Sequence, residues 1–379
     1  MTDTERYIAF LKYSIDEQAP YPDFLEEMDW DGLAKFGVEQ AVFGVLYYGL
    51  NRIPQEVPHR PHRRKVAEWV GLFRELQKKN EQVNKDAARV TSFFYSKFGV
   101  KSCVLKGQSN TGYYPDPFMR TPGDIDLWTD QDEDTIMRIA HSIDKDFDLD
   151  YHHIEVSGLV PTSLEIHLKP SFMVNPWYEK RLDRYFEQMK PSQFKQFLVL
   201  PGDRKICVVD RAFNRVFQLT HLQHHFFGEG VGFRQIIDYY YLLRQGFSAE
   251  EKENTMQTLK YLHMTRFAAG MMWVLHEVLG LDEKYLLTQP DEKVGRLLYS
   301  EVLKAGNFGH ADKRYNFGGK SRWSYFFLET WRNMHFVLYF PAETLWGRPL
   351  ARIMFAVHKR KLRRNLEKSL RSGQTATKK

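Results

Sequence analysis

Two aspartates two residues apart, in the run Asp124-Ile125-Asp126-Leu127-Trp128, constrain this chain more than any other feature. A strand alternates its side chains, so Asp124 and Asp126 fall on one face and Ile125 and Leu127 on the other. The aliphatic face needs a core. The acidic face needs a cation, because adjacent carboxylates resist joint ionisation unless something compensates them. Upstream, Val104-Leu105-Lys106-Gly107 reads as a short apolar strand ending in a glycine turn, with a helix after it. Strand, turn, helix and acidic strand together describe a sheet that carries two carboxylates on one exposed edge. Oxygen donors of this kind suit Mg²⁺ or Mn²⁺, and the arrangement points to metal-assisted phosphoryl transfer.

A third acid fits the first two. In Leu164-Glu165-Ile166-His167, alternation puts Glu165 and His167 on one face and Leu164 and Ile166 on the other. Three acids on neighbouring strands suffice to hold two divalent ions, which bind a triphosphate and neutralise the charge that develops on it.

Composition excludes several classes. Lys plus Arg is 54 and Asp plus Glu 48, a net charge of +6. That mild excess favours anionic ligands without implying nucleic acid, and much of it lies in the run His358-Lys359-Arg360-Lys361-Leu362-Arg363-Arg364. This run reads as a solvated helix face, with a nucleic-acid or membrane-surface role as the alternative. The two cysteines, Cys103 and Cys207, sit in apolar strand-like runs and read as buried thiols, not as a disulfide framework or a zinc site. No stretch is long and apolar enough to suggest a membrane span. The N-terminus shows no signal-peptide pattern, so a cytoplasmic protein is expected.

Along the chain, 1–98 reads as a helical N-terminal region. Asp29 caps a helix through Leu33 and Leu46, and a long helix runs from 63 to 97. Residues 99–210 mix strands (102–105, 125–129, 152–156, 163–168, 205–209) with a helix over 133–144. Residues 211–370 return to helices, at 211–227, 232–244, 250–280, 291–304 and 322–338. Gly228, Gly230 and Gly232 mark a loop that needs positive φ or close backbone approach. Residues 371–379 read as a disordered basic tail. On helical spacing, His221 and His225 share a face and read as core or cleft-lining residues. Arg234 and Asp238 read as an i,i+4 ion pair, or with Arg234 near bound phosphates.

In this order the motifs resemble the polymerase-β-type nucleotidyltransferases, and within them the bacterial uncharacterised nucleotidyltransferase family. The resemblance is carried by Leu105-Lys106-Gly107, Tyr114-Pro115, Arg120, Asp124-Ile125-Asp126-Leu127, Glu165-Ile166-His167 and His221, His225, Arg234 and Asp238. It implies an α+β fold: a polymerase-β-like nucleotidyltransferase core, a small mixed sheet with helices, flanked by N- and C-terminal helical regions. It also implies an enzyme that moves NMP from an NTP (ATP by default) to an acceptor hydroxyl with release of pyrophosphate, using Mg²⁺ or Mn²⁺. By the same resemblance Asp124, Asp126 and Glu165 are the catalytic metal ligands, and Gly107 lets the backbone approach the triphosphate. Lys106, Gln108, Ser109, Arg120 and Arg234 then complete the nucleotide site, although Arg120 also reads as a structural partner of the acids and Lys106 as a snorkelling structural side chain at the end of its strand. Departures from the superfamily pattern stand out, among them a gap from Gly107 to Asp124 longer than in most of it. Gly107-Gln108-Ser109 replaces the usual Gly-Ser or Gly-Gly, and Glu165 stands where relatives usually carry Asp.

The acceptor is open: a small molecule, a protein side chain or an RNA end. Nucleic acid is possible but not indicated. The alternatives are a toxin- or antitoxin-type nucleotidyltransferase acting on protein or tRNA, and a catalytically inactive nucleotide-binding module.

Overall fold

A computed structural model describes residues 1–309, 312, 314 and 322–376. The chain falls into two compact units: 1–81 with 110–122 and 222–332, and 82–109 with 123–221 and 333–379. The partition by composition into consecutive blocks therefore crosses both units, since each takes segments from all along the chain. The first unit is helical and the second holds the sheet.

The sheet comprises β1 (Ser102–Val104), β2 (Ile125–Thr129), β3 (Asp148–Leu149), β4 (His153–Val156), β5 (Leu164–His167), β6 (Gln196–Leu200) and β7 (Arg204–Val208). Their order is β3-β4-β5-β2-β1-β7-β6. β2 runs parallel to β5 and antiparallel to β1, and β1 runs parallel to β7. This is a mixed α+β architecture, as the motifs imply. Five strands lie where the apolar runs place them. The other two escape a pattern reading for identifiable reasons. β3 is two residues long, too short for a period. β6 exposes Phe197 and Val199, so its apolar residues do not mark a buried face.

One face of β2 and β5 explains the register. Ile125, Leu127, Leu164 and Ile166 are fully buried with Val83, Ala87, Val90 and Phe94 of the helix Arg63–Phe98 and with Ile136 and Ala140 of the helix Glu133–Ile143. Each large aliphatic side chain contributes about 1.5–3 kcal/mol on burial. A one-residue slip would turn this row outward and the acids inward. Leu362, from the helix Gly347–Ala376, joins the same core. Cys103 and Cys207 are buried thiols on β1 and β7.

In the helical unit two expected long helices are broken. The first ends at Glu39 and resumes at Phe43, around Ala41 at φ +54°. The second, expected over 250–280, splits into Ala249–Tyr261 and Thr265–Trp273, around His263 at φ +61°. Non-glycine residues in the left-handed region interrupt a helix and leave no signal in the apolar period. The glycine loop before the helix Phe233–Arg244 behaves as expected: Gly230 has φ +117°, and a Cβ there would lie 2.8 Å from Ala305 Cβ. Helices Asp3–Ile15 and Gly347–Ala376 lie in regions read as helical without bounds of their own, and Pro176–Met189 is an addition within the mixed segment. The last runs through most of the expected tail, whose end, 377–379, lies outside the described residues. Among the described residues no helix is long and apolar enough to cross a membrane.

Candidate functional site

β1 ends at Val104, and the next residue still pairs with β2: the Leu105 amide donates to the Asp126 carbonyl at 3.0 Å. That bond brings Lys106 alongside the acidic strand. Lys106 Nζ lies 2.6 Å from Asp126 Oδ2 and 3.5 Å from Asp124 Oδ2. On the other side, the parallel register sets Asp126 opposite Glu165 and Trp128 opposite His167. His167 Nε2 then lies 2.9 Å from Asp126 Oδ1 and 3.5 Å from Glu165 Oε2. His153, on β4, brings Nδ1 within 3.8 Å of the same Glu165 oxygen.

The sequence places both acids on an exposed edge. The structure corrects this for Asp126, whose side chain is 0 % exposed, while Asp124 precedes the strand and is partly open. An isolated buried carboxylate would take up a proton rather than ionise. Asp126 stays charged because two cationic side chains flank it. Burial opposes ionisation, but Lys106 and His167 outweigh it and hold the Asp126 carboxyl far below its ordinary range. Burial likewise disfavours charge on His167, yet its bonds to Asp126 and Glu165 push it up to about 9. The Lys106 ammonium is buried too, and the three acids raise its pKa. Glu165 is lowered despite burial, chiefly by its bond to His167. The site is therefore a charge-balanced cluster, not a bare acidic pair.

Asp126, Glu165 and His167 each present one ligand atom, all within 4.8 Å of one another. His167 Nδ1 faces the Lys169 carbonyl at 3.2 Å. A proton on Nδ1 donates to that carbonyl and orients the ring, and an Nε2 without a proton would then be open to a cation on the carboxylate side. A backbone carbonyl on the far nitrogen is the usual support of a metal-binding histidine. The donor set thus fits a divalent ion, with an imidazole added to the oxygens expected from sequence. His167 shares a face with Glu165 in the simple alternation pattern, and that was the signal available for it.

Gly107 has φ +69°. An added Cβ would find only the Asp124 carbonyl oxygen, at 3.5 Å, an ordinary contact. The position needs glycine for its backbone, not for space. Gly107→Ala is therefore expected to cost about 1–2 kcal/mol, read as a lowered midpoint in thermal denaturation. An unchanged midpoint would show that the turn tolerates another conformation. Behind it, Gln108 is buried and its amide donates to Asn84 Oδ1, on the helix Arg63–Phe98. Ser109 is 4 % exposed, and among the described residues its hydroxyl has no hydrogen-bond partner. A buried hydroxyl beside a glycine turn is a ready donor to an anionic oxygen.

The two arginines belong to the helical unit, where the structure gives Arg120 a different partner from those expected. Its Nε and Nη2 reach the two oxygens of Asp238, each at 2.8 Å, and Tyr114 Oη donates to Asp238 Oδ1 at 2.6 Å. The guanidinium fork that a phosphate would use is spent on this buried carboxylate. Asp238 is thus paired with Arg120 instead of serving as the simple helical partner of Arg234. Arg234 is buried one turn earlier on the same helix, with its amide 3.3 Å from the Gln40 carbonyl. His221 is buried beside Phe217, and His225 faces Glu229.

Residues 26–280 match a family described as uncharacterised nucleotidyltransferase. No curated protein matches the chain. Among solved structures, an antigenic nucleotidyltransferase-like protein from Paracoccidioides brasiliensis is 14 % identical, with 57 % of this chain and 97 % of that one covered. The TM-score is 0.33, too low to support an argument.

Proposed function

The chain belongs to the uncharacterised nucleotidyltransferase family, and from that premise we propose a metal-dependent enzyme that transfers NMP from an NTP to an acceptor hydroxyl. The observation that supports this reading is the charge-balanced cluster of Asp126, Glu165 and His167, with Asp124 and the Gly107 turn beside it. A divalent ion bound there would supply charge neutralisation on the triphosphate and on the attacking oxygen.

The chain's own residues have distinct tasks in this reading. Asp124, Asp126 and Glu165 hold the metal, with His167 as an added nitrogen ligand. Gly107 brings the backbone close to the phosphates, and the Ser109 hydroxyl donates to a phosphate oxygen. Lys106, which faces Asp126 at 2.6 Å, would be available to a phosphate once Asp126 ligated an ion. Glu165 orients the acceptor hydroxyl and takes its proton. The acceptor oxygen bonds to the α-phosphorus, the bond to the bridging oxygen breaks, and pyrophosphate carries the electron pair away.

The test is label transfer. The protein is incubated with each α-labelled NTP, a cell extract, and Mg²⁺ or Mn²⁺, beside an Asp124→Ala/Asp126→Ala control. Label is expected to move with the wild type only. The imidazole ligand favours the transition ion, so transfer is expected to be faster with Mn²⁺ than with Mg²⁺. Absence of both NTP binding and transfer, under either ion, would sink the reading. A second reading, a nucleotide-binding module without turnover, is favoured by one observation: Lys106 already neutralises Asp126 at 2.6 Å. It predicts NTP binding with no label transfer.

A further inference from the structure

The helix Gly347–Ala376 has one face built into the sheet unit and an opposite face that the family reading leaves unused. The inner face is settled by its contacts. Phe355 stacks on Tyr151 with centroids 3.8 Å apart, Leu362 is in the core, and Asn365 bonds Asp134. Half a turn away lie Leu350, Ile353 and Val357, with Ile353 63 % and Val357 60 % exposed. Their spacing of three and four residues makes one stripe. Just before the helix, Trp346 packs against Trp177, itself 62 % exposed, and extends the stripe at that end. Towards the other end the same face continues as Arg360, Lys361, Arg364 and Lys368, all exposed. From Leu350 to Lys368 the stripe is about 27 Å long at the helical rise.

The charge along this helix is almost all of one sign. Between 347 and 372 there are nine lysines and arginines and a single acid, Glu367. A surface that is aliphatic and tryptophan-bearing at one end and cationic at the other matches a partner offering an apolar layer beneath a layer of anions. Nucleic acid would satisfy the basic residues but would leave Leu350, Ile353 and Val357 against water, because bases stack on aromatic rings and not on aliphatic side chains. An anionic lipid surface satisfies both parts: the aliphatic and tryptophan side chains enter the interface, and the basic side chains meet the headgroups. We propose that the outer face of this helix docks the protein onto anionic lipid membranes. The helix lies on the surface and does not span it. The proposal is independent of the nucleotide chemistry.

Sedimentation with vesicles tests it. The full chain is mixed with vesicles of phosphatidylcholine plus phosphatidylglycerol, or of phosphatidylcholine alone, and pelleted. The protein is expected to pellet with the anionic vesicles and not with the neutral ones, and to be released by salt. I353S/V357S and R360E/R364E are each expected to lower the bound fraction on the order of tenfold. These positions are exposed, so the thermal midpoints should stay near wild type, and label transfer to soluble acceptors should not change. No partition to anionic vesicles would overturn the proposal. So would partition that ignores I353S/V357S and is competed away by RNA. A concentration-dependent dimer abolished by I353S/V357S would overturn it too, by assigning the stripe to a second copy of the chain.

Discussion

Asp126→Asn is expected to destabilise the sheet unit by about 3 kcal/mol, although removing one member of a bare acidic pair would be expected to stabilise. The direction follows from the partners. Lys106 and His167 are buried around Asp126 at 2.6 and 2.9 Å, and losing the carboxylate leaves two cations short of a counter-charge. For a unit of this size the loss corresponds to roughly 10 °C in midpoint. The same cluster gives the metal-free wild type a pH dependence with a defined sign. His167 titrates near 9 in the folded chain against 6.5 without the fold. A raised pKa contributes stability that is fully present below the unfolded value and is lost as pH rises through the folded one. Stability should therefore fall between about pH 6.5 and 9, by up to about 3 kcal/mol. Asp126→Asn should flatten that slope. Melting curves over this range decide the matter, and a wild-type midpoint constant from neutral to alkaline pH would refute the pairing. Label transfer should also be lost in the variant, because Asp126 is the buried ligand of the proposed metal set.

Asp238→Ala is expected to cost about 3–5 kcal/mol in the helical unit, since it strands the buried Arg120 guanidinium and leaves the Tyr114 hydroxyl without its 2.6 Å acceptor. Asp238→Asn keeps an acceptor for Tyr114 and should cost less. Replacing the pair together, Arg120→Met with Asp238→Leu, should recover most of the loss, as apolar substitutes for a buried ion pair often do. Denaturation of the single and double variants measures this coupling. If Asp238→Ala leaves the midpoint unchanged while the double variant alone is impaired, the pair does not anchor these helices. In that case Arg120 would return as a candidate phosphate ligand.

Much of the candidate site was legible before the fold was known. Asp124, Asp126 and Glu165 were visible because strand alternation is a rigid geometric rule, and Gly107 because a strand-to-helix turn has few alternatives. β2 and the helix Arg211–Phe227 fall on their expected bounds. His167 was within reach of the same alternation, but its contact with Asp126 depends on β2 and β5 being parallel neighbours. No local pattern encodes that adjacency, because β1, β2, β5 and β7 are assembled out of chain order. Arg120 and Asp238, which are 118 residues apart, show the same limit: spacing along a helix suggested Arg234 as the partner, and tertiary packing supplied another.

The division has a physical basis. By itself the sequence determines periodicities, and these say which side chains share a face of a strand or helix and which face must be buried. They set the two acids together, their aliphatic backing and the third acid, and the glycine after the first strand marks the turn. Only the tertiary structure decides what lies across each face, and that controls burial and charge. It turned an exposed acidic edge into a buried carboxylate held ionised by Lys106 and His167. It also gave Arg120 to Asp238 and left one stripe of the last long helix facing outward, with its opposite side seated in the core.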